Sequence, residues 1–169
     1  MTKDSEIKEF AFADLKTYKS ALEKAPSKKW VKSRSLGGNK TSNYIPLYIQ
    51  QALAEKFFRE FYVVEEKYNV IANEILCTVK LQIVPDFPYA DTIFPTGTAA
   101  KPIQQDSGIS ASSFPTGKKI NALEYNAPAA RSAAISNALT SIGNIFGRNL
   151  NREANNDFTI KGKEEKNAE

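Results

Sequence analysis

The sequence predicts an α+β protein in which an antiparallel β-sheet packs against a long C-terminal helix and N-terminal helices. Three observations lead there. Residues 61–84 alternate apolar and polar side chains as strands do, and residues 127–148 repeat apolar side chains at helical spacing. Between them, residues 86–125 are rich in Pro, Gly, Ser and Thr, the composition of strands joined by long loops. The length of 169 residues suits one domain, large enough to bury roughly two-thirds of its unfolded surface.

The elements follow in order. Asp14 to Ala25 places Leu15, Tyr18 and Leu22 on one helical face, and Pro26 ends the run. Lys28 to Asn43 reads as a basic loop around the Gly37-Gly38 pair. Pro46 then suits an early helical position, and Ile45, Tyr48, Ile49, Ala52, Leu53 and Phe57 form a stripe for a helix over 46–60. In the strands that follow, Ile75, Cys77, Val79, Leu81 and Ile83 share one face and Thr78, Lys80 and Gln82 the other. Cys77 is therefore read as core rather than nucleophile. Asn69 and Asn73 point to a turn between the strands, and the Glu65-Glu66 neighbours to solvated strand charges. Phe94-Pro95-Thr96-Gly97 and Phe114-Pro115-Thr116-Gly117 repeat a β-turn pattern, with Pro second and Gly fourth.

The last helix carries the most unusual pattern. From Ser132 to Gly147 there is no charged residue. Ile135, Ala138, Leu139, Ile142, Ile145 and Phe146 make the apolar stripe; Ser136, Asn137, Thr140, Ser141 and Asn144 make a small, neutral, polar back. A face left in water usually carries Lys, Glu or Arg, so this one suits either close approach by a subunit or ligand, or a core helix with a modestly polar back. Ser136, Asn137, Thr140 and Asn144 are the candidates for an oligomer interface. The organisation expected is an N-terminal helical segment (1–27), a core (28–152) and a flexible charged tail (153–169).

Composition narrows the function. Histidine is absent and Cys77 is the single cysteine, which removes the usual general base, the commonest transition-metal ligand and a structural zinc site. No compact acidic cluster, nucleotide-binding glycine loop or zinc-finger spacing stands out, so no catalytic residue, metal or cofactor is expected. A lone cysteine, an N-terminus without a leader-like apolar core and the lack of an apolar run of roughly 20 residues point to a cytoplasmic chain that makes no use of a membrane.

The net charge of +4 hides a partition: residues 24–54 sum to +6 with no acid among them, whereas 55–91 sum to −3 and 153–169 to −2. Lys28, Lys29, Lys32, Arg34 and Lys40 lie around the aromatic residues Trp30 and Tyr44. Cations that neutralise phosphates beside aromatics that stack on bases suit a single-stranded nucleic acid.

Ser33-Arg34, Gly37-Gly38, Lys40 and Tyr44-Ile45 before a helix running through Ala54 to Phe58 resemble the N-terminal signature of the Rad-fifty-two superfamily. Ala138-Leu139, Ser141, Gly143-Asn144 and Gly147 are similar to that family's last core helix, and the phage single-strand annealing proteins of the Sak group are the nearest in type. The resemblance covers roughly residues 28–150. It implies a curved antiparallel sheet with helices packed on it, assembled into an oligomeric ring or helix. Single-stranded DNA would lie in a basic groove and be annealed to its complement without ATP, in the homologous recombination and repair of a phage in its bacterial host cell. A host single-strand-binding protein or a phage exonuclease would be a further partner. Eukaryotic members carry adjacent basic residues in the middle of the last helix, where this chain has Ser136 and Asn137. Groove charge must then come from Lys118, Lys119, Arg131 and Arg148. The alternative is a general single-stranded nucleic-acid-binding module without annealing activity.

Overall fold

A computed structural model describes residues 11–35, 40–72, 74–102 and 122–152. It has the expected α+β class, with antiparallel sheets and helices. Helix α1 (Leu15–Leu22) starts where Asp14 accepts a 2.8 Å hydrogen bond from Thr17 N. That bond also holds the Asp14 carboxyl below its ordinary range. Its Tyr18 and Leu22 belong to the same core as the sheet.

Residues expected as a basic loop instead contain a hairpin, β1 (Lys32–Ser35) with β2 (Thr41–Tyr44), antiparallel from Lys32↔Tyr44 to Ser35↔Thr41. The alternating Lys-Ser-Arg-Ser run fits a strand whose faces are both polar, a pattern invisible to a search for apolar alternation. Helix α2 (Leu47–Phe57) ends three residues earlier than expected. Phe58, Phe61, Tyr62, Val63 and Val64 favour strand, and Phe58 already has extended backbone. The buried face of α2 is Gln50, Leu53 and Ala54, with Phe57 half-buried; Tyr48 and Ala52 of the expected stripe point outward.

Strands β3 (Phe58–Ile71), β4 (Glu74–Pro85) and β5 (Thr96–Pro102) form an antiparallel sheet in that spatial order. The turn between β3 and β4 is at Ala72, which takes φ 52°, while Asn69 stays in the strand opposite Leu76. On β4, Ile75, Cys77, Val79, Leu81 and Ile83 are all buried, as the alternation requires, and burial pushes the Cys77 thiol pKa up. The expected β-turn at 94–97 is corrected. Pro95 O accepts from Leu81 N, and Thr96 and Gly97 open β5, so the segment is extended. The second copy of that pattern, 114–117, lies outside the described residues. Among the described residues of 86–125 there is one strand, not several, and Tyr125 belongs to the following helix.

Helix α3 (Ala122–Thr140) begins five residues before the expected start and runs through Pro128. Ala130, Ala134 and Ala138, spaced by four, are fully buried against the sheet. The approach is close enough that a Cβ on Gly97 would collide with the Ala134 carbonyl oxygen and lie 2.5 Å from Ala138 N. The helix stops at Thr140 rather than near Gly147. A short 3-10 turn (Asn144–Phe146) then delivers Ile145 and Phe146 to the core, closed by Gly147 at φ 102°. Phe146 stacks on Phe58 with centroids 5.8 Å apart. Among the described residues no helix is long and apolar enough to cross a membrane.

Candidate nucleic-acid interface

The β1–β2 hairpin is held to the body at its second strand. Asn43 N donates to Asn151 Oδ1 (2.7 Å), and Asn151 Nδ2 donates back to Asn43 O (2.8 Å). Within the hairpin Ser33 Oγ hydrogen-bonds Asn43 Oδ1 at 2.6 Å. Ile45, buried just beyond β2, anchors its base. With Ser33 turned to Asn43, strand alternation puts Lys32 and Arg34 together on the other face. The Arg34 guanidinium lies 5.7 Å from the centre of the Tyr44 ring, within cation–π range. Lys28, Lys29, Lys32, Arg34 and Lys40 are all exposed, and among the described residues none of them has a carboxylate at ion-pair distance.

Between this hairpin, the start of α2 and α3 lies a groove of about 350 Å³. Arg34 and Tyr44 line one side, Ser132, Ser136 and Asn137 the other, and Gln50 lies beneath. The structure thus brings two candidate DNA-binding residues against three candidate interface residues, Ser136, Asn137 and Thr140, in one place.

The remaining candidates are placed elsewhere. Trp30 is half-buried and packs on the hydrophobic core, so its ring is committed to the fold. Arg131 donates from Nε to Glu66 Oε2 at 2.7 Å, tying α3 to β3. Glu66 also accepts from the Tyr68 hydroxyl (2.6 Å); these two bonds, that of Tyr68 foremost, hold its carboxyl below the usual range. Its neighbour Glu65 pairs with Lys67, so both carboxylates expected as merely solvated have ionic partners. Arg148 bridges Glu23 (2.9 Å) and the Ser141 carbonyl (2.9 Å), fastening the end of the chain's core to α1. Lys118 and Lys119 lie outside the described residues.

The small neutral polar residues of 136–144, on α3 and just beyond its end, find partners within the chain. Asn137 Nδ2 donates to Thr98 O (2.8 Å), Thr140 Oγ1 to Ser136 O (2.8 Å) and Ser141 Oγ to Ala138 O (2.7 Å); Asn144 Nδ2 approaches Glu23 O at 3.4 Å. Reading the sequence missed Gln50, Asn43 and Asn151. Gln50 alone left a signal, a polar residue three positions before Leu53 on a helix face that otherwise enters the core. No protein-family model matches the chain, and no curated protein sequence matches it.

Proposed function

We propose that this protein binds single-stranded DNA through the β1–β2 hairpin and anneals complementary strands without ATP. It would act as a homo-oligomer in the recombination of a phage within the bacterial cytoplasm. The observation that carries the reading is the cluster of exposed cations on and around the hairpin, with no carboxylate at ion-pair distance among the described residues, beside a polar groove. Lys28, Lys29, Lys32, Arg34 and Lys40 neutralise phosphates, and Tyr44 offers an aromatic face. Holding a strand on cations lowers the repulsion that its complement meets, so annealing needs no acid, base or nucleophile. Assembly into a ring or helix, with the sheet curving from one copy to the next, would repeat the hairpin along the strand. The outer edge of β3, which pairs with no other strand among the described residues, supports such side-by-side packing.

The reading is tested by replacing Lys28, Lys29 and Lys32 together with Ala. All three are exposed, so circular dichroism should be unchanged. Affinity for an oligonucleotide should fall for every sequence alike, and the slope of log affinity against log salt should shrink by about 2, roughly 0.7 per lost phosphate contact. An unchanged slope refutes the hairpin as the binding surface.

A second reading, a passive single-strand-binding module, draws on the ion pairs that engage Arg131 and Arg148 within the chain. They leave two of the candidate cations engaged within the chain rather than open to a strand. Mixing two complementary oligonucleotides, one labelled, separates the two. Annealing no faster than that of naked strands, despite binding, selects the passive module.

A further inference from the structure

We propose that the outer edge of β3 is a two-fold joint between copies of this chain. Residues 65–71 pair antiparallel with the same residues of a second copy, with Tyr68 on the axis. This rests on the homo-oligomer part of the proposed function and not on the part that concerns DNA.

The argument starts with the direction of the backbone groups. Leu81 N donates to Pro95 O, Ile83 N to Ile93 O and Ile93 N back to Ile83 O, so the odd-numbered residues of β4 face β5. Alternation then turns Lys80, Thr78, Leu76 and Glu74 toward β3, where they meet Glu65, Lys67, Asn69 and Ile71. The backbone groups of Glu66, Tyr68 and Val70 therefore point out of the sheet. All three residues are exposed, and among the described residues no strand pairs with that edge.

The far edge of the sheet is finished differently. On β5 the same alternation turns Thr98, Ala100 and Pro102 outward. Asn137 Nδ2 donates to Thr98 O at 2.8 Å and Asn126 Nδ2 to Pro102 O at 2.6 Å, both from α3. Pro102 has no N–H to offer. A head-to-tail joint, β3 of one copy against β5 of the next, meets these plugs. An isologous joint, β3 against β3, uses only the open edge and closes at two copies.

The strand's own residues set the register. Beyond the shift between Val63 and Glu65 the ladder runs unbroken to the turn at Ala72, and the midpoint of that stretch is Tyr68. Centred there, Glu66, Tyr68 and Val70 all meet outward-facing residues, giving about six backbone hydrogen bonds, two for each such pair. Lys67 falls opposite Asn69, Glu65 opposite Ile71, and Glu66 opposite Val70. The Glu66 carboxylate is already held by Arg131 and Tyr68. No like charges are opposed. Centring on Lys67 opposes two lysines, centring on Glu66 two carboxylates, and centring on Asn69 carries the pairing into the turn. The joint also gives the exposed Tyr68, Val70 and Ile71 apolar neighbours.

The test reads the register. Lys67 and Asn69, both exposed, would stand about 4.5 Å apart, Cα to Cα, across the joint, a separation that a disulfide spans. Lys67→Cys and Asn69→Cys are expressed separately and together, checked by circular dichroism, oxidised with glutathione disulfide and run on a non-reducing gel. Cys77 is fully buried and stays out of the reaction. The co-expressed pair should give a disulfide-linked dimer. Either variant alone should not, because like positions then lie about 7–8 Å apart, beyond disulfide reach. A linked dimer formed as readily by one variant alone shows the edges meeting in another register and overturns the proposal. No linked dimer from the pair, while the native protein scatters light as an oligomer, overturns it and leaves the homo-oligomer standing. A native protein that is monomeric with and without single-stranded DNA overturns both.

Discussion

Strands β3 and β4 are paired along almost their whole length, from Phe58↔Pro85 to Ile71↔Glu74, yet they occupy opposite environments. On β4 every second residue is buried, from Ile75 to Pro85. On β3 only Phe58 is buried, and beyond Val63 every residue is exposed, Val64, Tyr68, Val70 and Ile71 among them. The cause is the position of α3, whose alanine face lies on β4 and β5 and stops short of the distal half of β3. Among the described residues the sheet is thus a finished core on one side and an uncovered apolar surface with an open backbone edge on the other. Large exposed apolar side chains on a 14-residue strand whose outer edge has no partner among the described residues are a combination that monomeric proteins usually avoid.

The largest break in that contrast comes from the covered side. Gly97→Ala puts a methyl group into the backbone of α3 and should cost at least about 3 kcal/mol, the top of the usual range for overpacking. Leu81→Ala, at a fully buried position of β4, should cost about 2–5 kcal/mol in denaturant unfolding. Val70→Ala on β3, 64% exposed, should stay within about 0.5 kcal/mol if it is measured on the monomer. Comparable losses at Leu81 and Val70 in a dilute monomer would mean that the exposed half of β3 is not the weakly packed surface described.

A second experiment sharpens the contrast by asking what covers β3. Val64→Lys with Val70→Lys places two charges on this strand where they disturb no buried contact. Native protein at micromolar concentration should scatter light as a species larger than 18.7 kDa, and the double variant should shift toward that mass while keeping its circular dichroism. A native protein that is monomeric with and without single-stranded DNA removes the assembly from the proposed function.

The same contrast explains what could be read in advance. The alternation on β4 was legible because one face of the strand is covered by a helix and the other is half-covered, the condition under which period two is written into composition. The hairpin β1–β2 was not, since neither face of Lys32–Ser35 is buried and its order comes from Asn43, Asn151 and Ile45, one of them 108 residues away. The start of α3 lies five residues before the expected 127, and the helix runs through Pro128, a residue type that usually stands at a helix start. Its end was misjudged because the 3-10 turn returns Ile145 and Phe146 to the core and so prolongs the helical spacing of apolar residues. At the candidate site, the cationic stretch and Tyr44 were visible as composition. That Trp30 packs inward and that Arg131 and Arg148 are paired depends on distant partners, Glu66 and Glu23, which no local pattern announces.

The smallest expected effect concerns the tie between the two halves of the contrast, Arg131 on α3 with Glu66 on β3. Both side chains are partly exposed, at 43% and 29%, so the pair should contribute no more than about 1 kcal/mol to folding. Glu66→Gln should therefore unfold only slightly more easily at neutral pH. The Glu66 carboxyl is held below its ordinary range by the Tyr68 hydroxyl and by Arg131. Its contribution is then complete above the unfolded value of about 4.3 and is lost as pH falls through the folded one, so the stability gap between native protein and variant should close from about pH 4 downward. The functional consequence has the opposite sign. Released from Glu66, Arg131 becomes available to phosphate, and the salt slope of single-stranded DNA binding should steepen by about 0.7, one contact. Salt titrations of the two proteins at pH 7 read this directly. If the slope stays the same while the stability gap follows the expected pH course, Arg131 serves to fasten α3 to β3 and takes no part in holding DNA.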